Sequence, residues 1–205
     1  MSLLFETIRL QNRKLYNLAC HNQRMEQSRR DLLGIDEKIE LAEQIQIPDW
    51  VEEGMYRCRV SYKNEIEKID FFEYRFSHPA IIQLIENPGI TYPYKFEDRS
   101  QFQQVLSENP GANDAIITHY GCLTDATFAN VAFFDGKDWL TPDVPLLKGT
   151  KRQYLLENKI LIAASIKVEH LKGFRQLSLI NAMRDLNIVY DYTFHQNHLM
   201  IHGNY

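Results

Sequence analysis

The chain lacks most of the patterns that announce common enzyme and binding chemistries. Its three cysteines, Cys20, Cys58 and Cys122, are odd in number, widely spaced and never arranged as Cys-x-x-Cys. That argues against a disulfide framework or a zinc knuckle and points to a reducing cytoplasm. No Asn-x-Ser/Thr sequon occurs. The longest wholly apolar run is the short stretch Ile160 to Ala164, far below what a bilayer-crossing helix needs. Met1-Ser2-Leu3-Leu4-Phe5 runs straight into Glu6 without a basic start or a small-residue cleavage site, so no secretory leader is expected. A Gly-x-Ser-x-Gly elbow, a Gly-x-Gly-x-x-Gly turn and a Walker loop are all missing. The usual serine-hydrolase, dinucleotide and nucleotide fingerprints are therefore absent. A basic excess is lacking too: 23 basic against 27 acidic side chains give a formal charge of −4. Only small clusters occur, Arg29-Arg30 and Lys148 with Lys151-Arg152, which argues against a nucleic-acid track.

What is present is ordinary globular material. The 205 residues are 44% hydrophobic and 24% charged, enough for one or two domains with a sizeable core. Leu3 to Leu10 is rich in strand formers, and Gln11-Asn12-Arg13 turns it back through Lys14 to Tyr16. A helix follows from about Asn17 to Leu33, with Leu18, His21, Met25, Ser28 and Leu32 on one face and Gly34 placed to end it. A second helix is expected over Asp36 to Gln44, and strands over Tyr56 to Tyr62 and Lys68 to Phe76. Pro79, Pro88 and Pro93 with the Asn87-Pro88-Gly89 turn mark Ser77 to Tyr94 as a passage between two lobes, taken as 1–80 and 81–205. The second lobe should open with a helix at about Ser100 to Leu106. Strands at Ala115 to Tyr120 and Thr127 to Phe134 follow, separated by a Gly121–Asp125 loop. A helix opens at Gly149-Thr150, with Tyr154, Leu155, Ile160, Leu161 and Ala164 facing inward. Short strands at Ser165 to Val168 and Gln176 to Ile180 precede a closing hairpin near His202. Strands and helices mix without strict alternation, which favours α+β.

Four local features could carry chemistry. Lys95 lies among aromatic residues in Tyr92-Pro93-Tyr94-Lys95-Phe96. An amine in apolar surroundings loses ammonium hydration and gains nucleophile character, as Schiff-base chemistry requires; a snorkelling lysine is the plainer alternative. Gly149-Thr150-Lys151-Arg152 at a helix start could receive a phosphate or be a simple cap. His21-x-x-Arg24 could aim a cation into a cleft or lie on a surface helix. His195, His198 and His202 would share a face on a helix, but their surroundings favour a hairpin, where they would not converge. No metal site is expected.

Taken in order, these features resemble the class IV aminotransferase-like family of pyridoxal 5′-phosphate (PLP) enzymes, which includes branched-chain and D-amino-acid aminotransferases and 4-amino-4-deoxychorismate lyase. Phe5-Glu6-Thr7-Ile8-Arg9, Lys14-Leu15 and His21-Asn22-Gln23-Arg24-Met25 resemble the family's first hairpin and helix. Lys95-Phe96-Glu97-Asp98-Arg99 sits where the family carries its Schiff-base lysine. Leu123 to Phe133 resembles the family's acidic residue followed five positions later by Asn and an apolar strand. Leu140-Thr141-Pro142 and Leu146 to Arg152 resemble its threonine-proline and Gly-x-x-Arg segments, and Leu179 to Met183 the Asn-Ala-Leu stretch of the lyase branch.

The resemblance implies a two-lobe α+β structure of PLP fold-type IV, like D-amino-acid aminotransferase. A small N-terminal α/β lobe would be followed by a larger barrel-like C-terminal lobe carrying the lysine, with PLP between the lobes. Lys95 would bond the cofactor and move the Cα proton. Asp125, where the family generally has the longer Glu, would pair with the pyridine nitrogen. Arg24 would fork onto the phosphate, and backbone N–H groups at Thr150, Lys151, Asn181 and Ala182 would complete its cup. Lys151 replaces a frequent Thr and Ala182 lacks a hydroxyl, so side-chain donors are fewer. Arg99 would line the substrate cleft. The implied protein is a cytoplasmic homodimer acting on a small amino-acid-like substrate, with no nucleic-acid or membrane partner. Its implied reaction is the folate-pathway lyase step, conversion of 4-amino-4-deoxychorismate to 4-aminobenzoate and pyruvate. Alternatives are a branched-chain or D-amino-acid aminotransferase, or a PLP-binding relative without catalysis. Family members are typically longer, so 205 residues reads as a trimmed version of that fold.

Overall fold

Period-two alternation builds the first strand, β1 (Leu4–Gln11): Leu4, Glu6, Ile8 and Leu10 share its inner face and are fully buried. The computed structural model describes residues 3–202, so Met1-Ser2, part of the start read for a leader, lie outside the described residues. Asn12 and Arg13 take left-handed conformations (φ 49° and 59°) and return the chain into β2 (Lys14–Leu15). Strand β1 also pairs antiparallel with β3 (Met55–Tyr62), which pairs with β4 (Ile66–Glu73), giving the sheet order β2-β1-β3-β4. Helix α1 (Leu18–Leu33) buries His21, Met25 and Ser28, and Gly34 (φ 68°) closes it as expected.

The second expected helix is much shorter: α2 spans only Leu41–Gln44. The cause is tertiary. Buried Arg29 reaches into the preceding segment and donates to the Glu37 carbonyl and, at 3.1 and 2.7 Å, to the Asn64 carbonyl. The Leu41 N–H, which a longer helix would direct at Glu37, donates instead to Asn22 Oδ1 at 3.1 Å.

Contacts divide the chain into two units. The first comprises the residues up to Phe76 together with Tyr94–Asp98; the second comprises Ser77–Pro93 and the chain from Arg99 onward. The 80/81 boundary therefore shifts to 76/77, and Lys95 groups with the first unit rather than with the larger one. Its segment lies along the outer edge of β1: Phe5 N–H donates to the Lys95 carbonyl (3.0 Å), Glu97 N–H to that of Leu3 (2.8 Å), and Leu4 bridges Phe96. Tyr94 and Phe96 pack on the apolar core beneath.

In the second unit the passage between lobes contains a strand, β5 (Ile81–Glu86), because its prolines flank the apolar run rather than interrupt it. Helix α3 (Ser100–Glu108) precedes β6 (Asp114–His119), which pairs parallel with β5. Next come β7 (Cys122–Ala126), β8 (Asn130–Phe134), β9 (Trp139–Pro142), α4 (Thr150–Glu157), β10 (Ile162–Ala164), β11 (Gln176–Ile180), β12 (Val189–His195) and β13 (His198–His202). Strands β8-β11-β12-β13-β5-β6-β7 close on themselves through a β7–β8 pairing, and β9 and β10 extend from β8. The result is a seven-stranded barrel filled by inward residues such as Ile82, Ile116, Phe133, Leu177 and Leu199.

Two expectations change here. The stretch read as a Gly121–Asp125 loop is largely strand β7, because the reversal is confined to Tyr120 (φ 52°) and Gly121 (φ 75°). Their N–H groups are held by the Glu86 carboxylate at 2.6 and 3.1 Å. Helix α4 stops at Glu157 because Lys159 turns left-handed (φ 58°). Leu155 and Leu161 are buried, whereas Tyr154 and Ile160 are exposed rather than inward. The strand expected from Ser165 falls earlier, as β10, parallel to β9.

Candidate active-site residues

In the first unit, one carboxylate organises the polar interior. Glu6 is the acid on the apolar face of β1 and is fully buried. Arg24, two turns into α1, donates from Nε to Glu6 Oε1 at 2.9 Å and from Nη2 to Oε2. His21, one turn earlier and also fully buried, places Nδ1 2.6 Å from Oε2. Burial alone would raise the Glu6 pKa, but the Arg24 charge and the His21 and Arg24 hydrogen bonds bring it down to about 2. Burial lowers the His21 pKa, against the pull of Glu6, and the nearby Arg24 and Lys95 charges lower it further. His21 is therefore a neutral ring beside an ionised carboxylate, and Nδ1 must carry the proton, since that carboxylate can only accept.

Lys95 lies over the Phe5 ring, its Nζ 4.6 Å from the centroid, and the Arg59 guanidinium approaches the same ring at 4.1 Å. The aromatic side chain beneath the amine thus comes from β1. Arg59 also donates to Glu97 Oε1 at 2.7 Å, an oxygen that accepts from Ser61 Oγ at 2.8 Å.

In the second unit, Asp125 is buried on β7, directly opposite Asn130 of β8. Its Oδ1 accepts from Asn130 Nδ2 (2.7 Å) and its Oδ2 from the Leu147 N–H (2.9 Å). Burial pushes its pKa up to about 6, only partly offset by these N–H donors and by the Arg152 charge. Asn130 Nδ2 also donates to the Leu147 carbonyl at 2.8 Å, so the acid and amide together grip the loop leading to α4. At Gly149 an added Cβ would stand 2.0 Å from Asn130 Oδ1. Only glycine lets the helix start approach the Asp125–Asn130 pair this closely.

Thr150 and Lys151 open α4, and no side chain caps it. Lys151 Nζ pairs with the Asp185 carboxylate, and Arg152 donates to the Pro142 carbonyl at 2.8 Å. Asn181 and Ala182 lie in a tight turn. Asn181 N–H donates to the Arg184 carbonyl (3.3 Å), and Arg184 N–H donates back to that of Asn181 (3.1 Å). Asn181 Oδ1 accepts from Met183 N–H (2.9 Å), and its Nδ2 donates to the Phe128 carbonyl (3.2 Å). Arg99 lies over the Tyr92 and Phe102 rings, at 5.5 and 5.0 Å, and donates to the Thr127 carbonyl. These contacts brace α3 against the segment before β8.

The first unit thus brings Arg24 and Lys95 around Glu6, His21 and Phe5. The second gathers Asp125, Thr150, Lys151, Asn181 and Ala182 around the loop and turn just described. Glu6 was given no role of its own by the sequence and has one here, and Gly149 and Arg152, read only as members of the helix-start motif, gain specific contacts. Glu6 was visible in principle, as an acid on an apolar strand face; Gly149 and Arg152 had no such signal beyond their family motif. His195 and His198 face each other across the closing hairpin with ring centroids 5.7 Å apart, and His202 Nε2 is 2.7 Å from Thr193 Oγ1. No group of three or more metal-ligating side chains occurs among the described residues.

A two-unit structure with a closed barrel and a separate sheet around α1 is the architecture of fold-type IV. The family described as amino-transferase class IV matches residues 105–190. An uncharacterized protein of Haemophilus influenzae is 33% identical over 185 residues, covering 89% of this chain and 98% of its own. The crystal structure of a "putative 4-amino-4-deoxychorismate lyase" from Haemophilus somnus has a TM-score of 0.83 and 31% identity, covering 91% of this chain and 98% of that one. A hypothetical aminotransferase from Mycobacterium tuberculosis, solved in a PLP-bound form, has a TM-score of 0.70 at 18% identity, covering 89% of this chain and 77% of that one. The chain belongs to the class IV aminotransferase family of PLP-dependent enzymes. Among the described residues no helix is long and apolar enough to cross a membrane.

Proposed function

We propose that the chain is a PLP-dependent lyase that converts 4-amino-4-deoxychorismate to 4-aminobenzoate and pyruvate. The observation that carries this choice within the family is the likeness to the Haemophilus somnus protein over 98% of that protein's length. Two features of the chain fit the cofactor. The Asp125 carboxylate is buried and held by three N–H donors, from Asn130, Leu146 and Leu147, while a carboxylate offers about four acceptor sites. It keeps room for the N–H of a protonated ring nitrogen. The Gly149 backbone, closed to any side chain by Asn130, keeps the start of α4 open for a phosphate, which a helix N-terminus favours.

When bound, PLP supplies an electron sink for the bonds at the substrate's Cα. The chain supplies the rest. Lys95 Nζ would hold the cofactor at its aldehyde and would take the proton from the substrate's Cα. Asp125 would hold the ring nitrogen in its protonated form. Arg24, held by Glu6 through Nε and Nη2, would bind the cofactor phosphate. Backbone N–H groups at Thr150, Lys151 and Ala182 would complete that recognition, while the Asn181 N–H closes its own turn on the Arg184 carbonyl. Arg99, braced by Thr127, faces the substrate. The protein works as a cytoplasmic homodimer in folate synthesis, on a small amino-acid-like substrate.

The test is a turnover assay of the PLP-loaded protein with aminodeoxychorismate, reading 4-aminobenzoate and pyruvate. Equal amounts of both, abolished by Lys95→Ala together with the yellow colour, are expected. Stoichiometric amino acid formed from an amino-acid and keto-acid pair, without pyruvate release, would replace the lyase by a transaminase. A colourless protein that takes up no PLP would leave a non-catalytic relative.

A further inference from the structure

Arg184 is among the largest fully buried side chains, 1% exposed, and it follows directly on the Asn181–Ala182 turn. Its Nη1 donates to the Tyr190 hydroxyl at 3.1 Å and its Nη2 to the Ser77 carbonyl. Its guanidinium lies over the Phe128 ring, 5.0 Å from the centroid. Phe128 also supplies the carbonyl that holds Asn181 Nδ2 at 3.2 Å. The 181–184 turn and the loop before β8 are therefore joined twice, once through an amide hydrogen bond and once through a cation over a ring. The backbone of Arg184 itself closes the turn against Asn181. The next residue, Asp185, ties the turn to the start of α4 through Lys151. The turn is fixed from both sides, from the barrel interior and from the helix.

We propose that Arg184 is a positioning residue that sets the backbone of the Asn181–Ala182 turn for an anionic phosphate group. The inference rests on the cofactor reading above. It follows from what the cradle lacks: Ala182 carries no hydroxyl, and the Lys151 ammonium is engaged by Asp185. Recognition at this turn then depends on where the Ala182 N–H points, and its direction is set by the groups that hold the turn, the Asn181 N–H being used to close it. The Arg184 guanidinium can make the Tyr190, Ser77 and Phe128 contacts at once because it is planar with separate donors; a lysine ammonium in its place cannot span all three.

The test compares PLP with pyridoxal, which has the same ring and aldehyde but no phosphate. Dissociation constants for both are measured by absorbance titration of the full chain, for the wild type, Arg184→Lys and Tyr190→Phe. Circular dichroism and thermal melting verify folding. The wild type should prefer PLP strongly. In Arg184→Lys the PLP constant should weaken about tenfold while the pyridoxal constant stays nearly unchanged, so the preference collapses. Tyr190→Phe removes one anchor at little change in volume and should shift the preference the same way by a smaller factor. If folded variants weaken both ligands equally, or keep the wild-type preference, the inference is overturned. If Arg184→Lys does not fold, Tyr190→Phe decides alone. A wild type that binds neither ligand, or does not distinguish them, overturns the cofactor reading itself and the inference with it. That outcome is read on the unmodified chain, so the two failures are distinguishable.

Discussion

Each unit buries a carboxylate among its candidate site residues, and the two are stabilised in opposite ways. Glu6 has a guanidinium beside it and is held near a pKa of about 2; Asp125 has mainly neutral N–H donors and is pushed to about 6. Both are almost wholly removed from water, so the difference lies in the partner. A cation within hydrogen-bond distance more than repays the desolvation of Glu6, whereas amide dipoles repay only part of that of Asp125. The first acid is a fixed anchor for Arg24 and His21. The second is a carboxylate whose burial is only partly compensated, and a protonated ring nitrogen would relieve it.

The largest effect should come from breaking the anchor. Glu6→Gln leaves Arg24 facing a neutral amide in a buried setting and should cost about 3–5 kcal/mol of stability, read as a lower urea midpoint at pH 7. The matched change on the other side should behave differently. Asp125→Asn should leave the stability of the cofactor-free protein within about 1 kcal/mol, while lowering turnover of the PLP-loaded protein about a hundredfold. An equal loss of stability in both variants would erase the contrast. Next, Gly149→Ala forces Asn130 away from Asp125 and Leu147 and should cost about 2 kcal/mol, visible as a lower Tm and a weaker hold on PLP.

The mildest test is pH. Glu6 titrates at about 2 when folded against 4.5 unperturbed. Its contribution is fully present above about 4.5 and is lost as pH falls towards 2. Asp125 titrates at about 6 against 3.8. The folded state then binds more protons between those values, so stability falls as pH rises through that window. Urea midpoints from pH 2 to 7 should show both slopes. Glu6→Gln should flatten the acid limb, and Asp125→Asn should reduce the upper one, the rest of which belongs to buried Asp114, also raised to about 6.

What could be read in the sequence was local. The β1 alternation, α1 with its Gly34 stop and the closing hairpin followed from period and turn chemistry. The same alternation put Glu6 on the apolar face of β1, although its partners on α1 could not be inferred from that strand. Helix α2 was overestimated because the competitor for its carbonyls is Arg29, which is not a neighbour in sequence. Strand β5 was hidden by flanking prolines. Of the inward set proposed for α4, Leu155 and Leu161 are buried, and Ile160 fails because a left-handed residue, Lys159, ends the helix before it. Asp125 and the Asn181–Ala182 turn were singled out by family resemblance, and Lys95 by its aromatic neighbours as well. Their settings, from the Phe5 ring under the amine to the Asn130 carboxamide behind Gly149, depend on pairings between distant residues that no local period encodes.

The attachment of Tyr94–Asp98 to the outer edge of β1 has a consequence for how the protein is made. The first unit is not a continuous piece of chain. Its sheet, α1 and most of its apolar core are synthesised by Phe76, yet the Phe5 N–H and the Leu3 carbonyl gain their backbone partners only when Lys95 and Glu97 emerge. During translation β1 therefore waits with one edge open while the first strand of the barrel is already being produced. A fragment ending at Phe76 would keep that edge exposed and would lack Lys95.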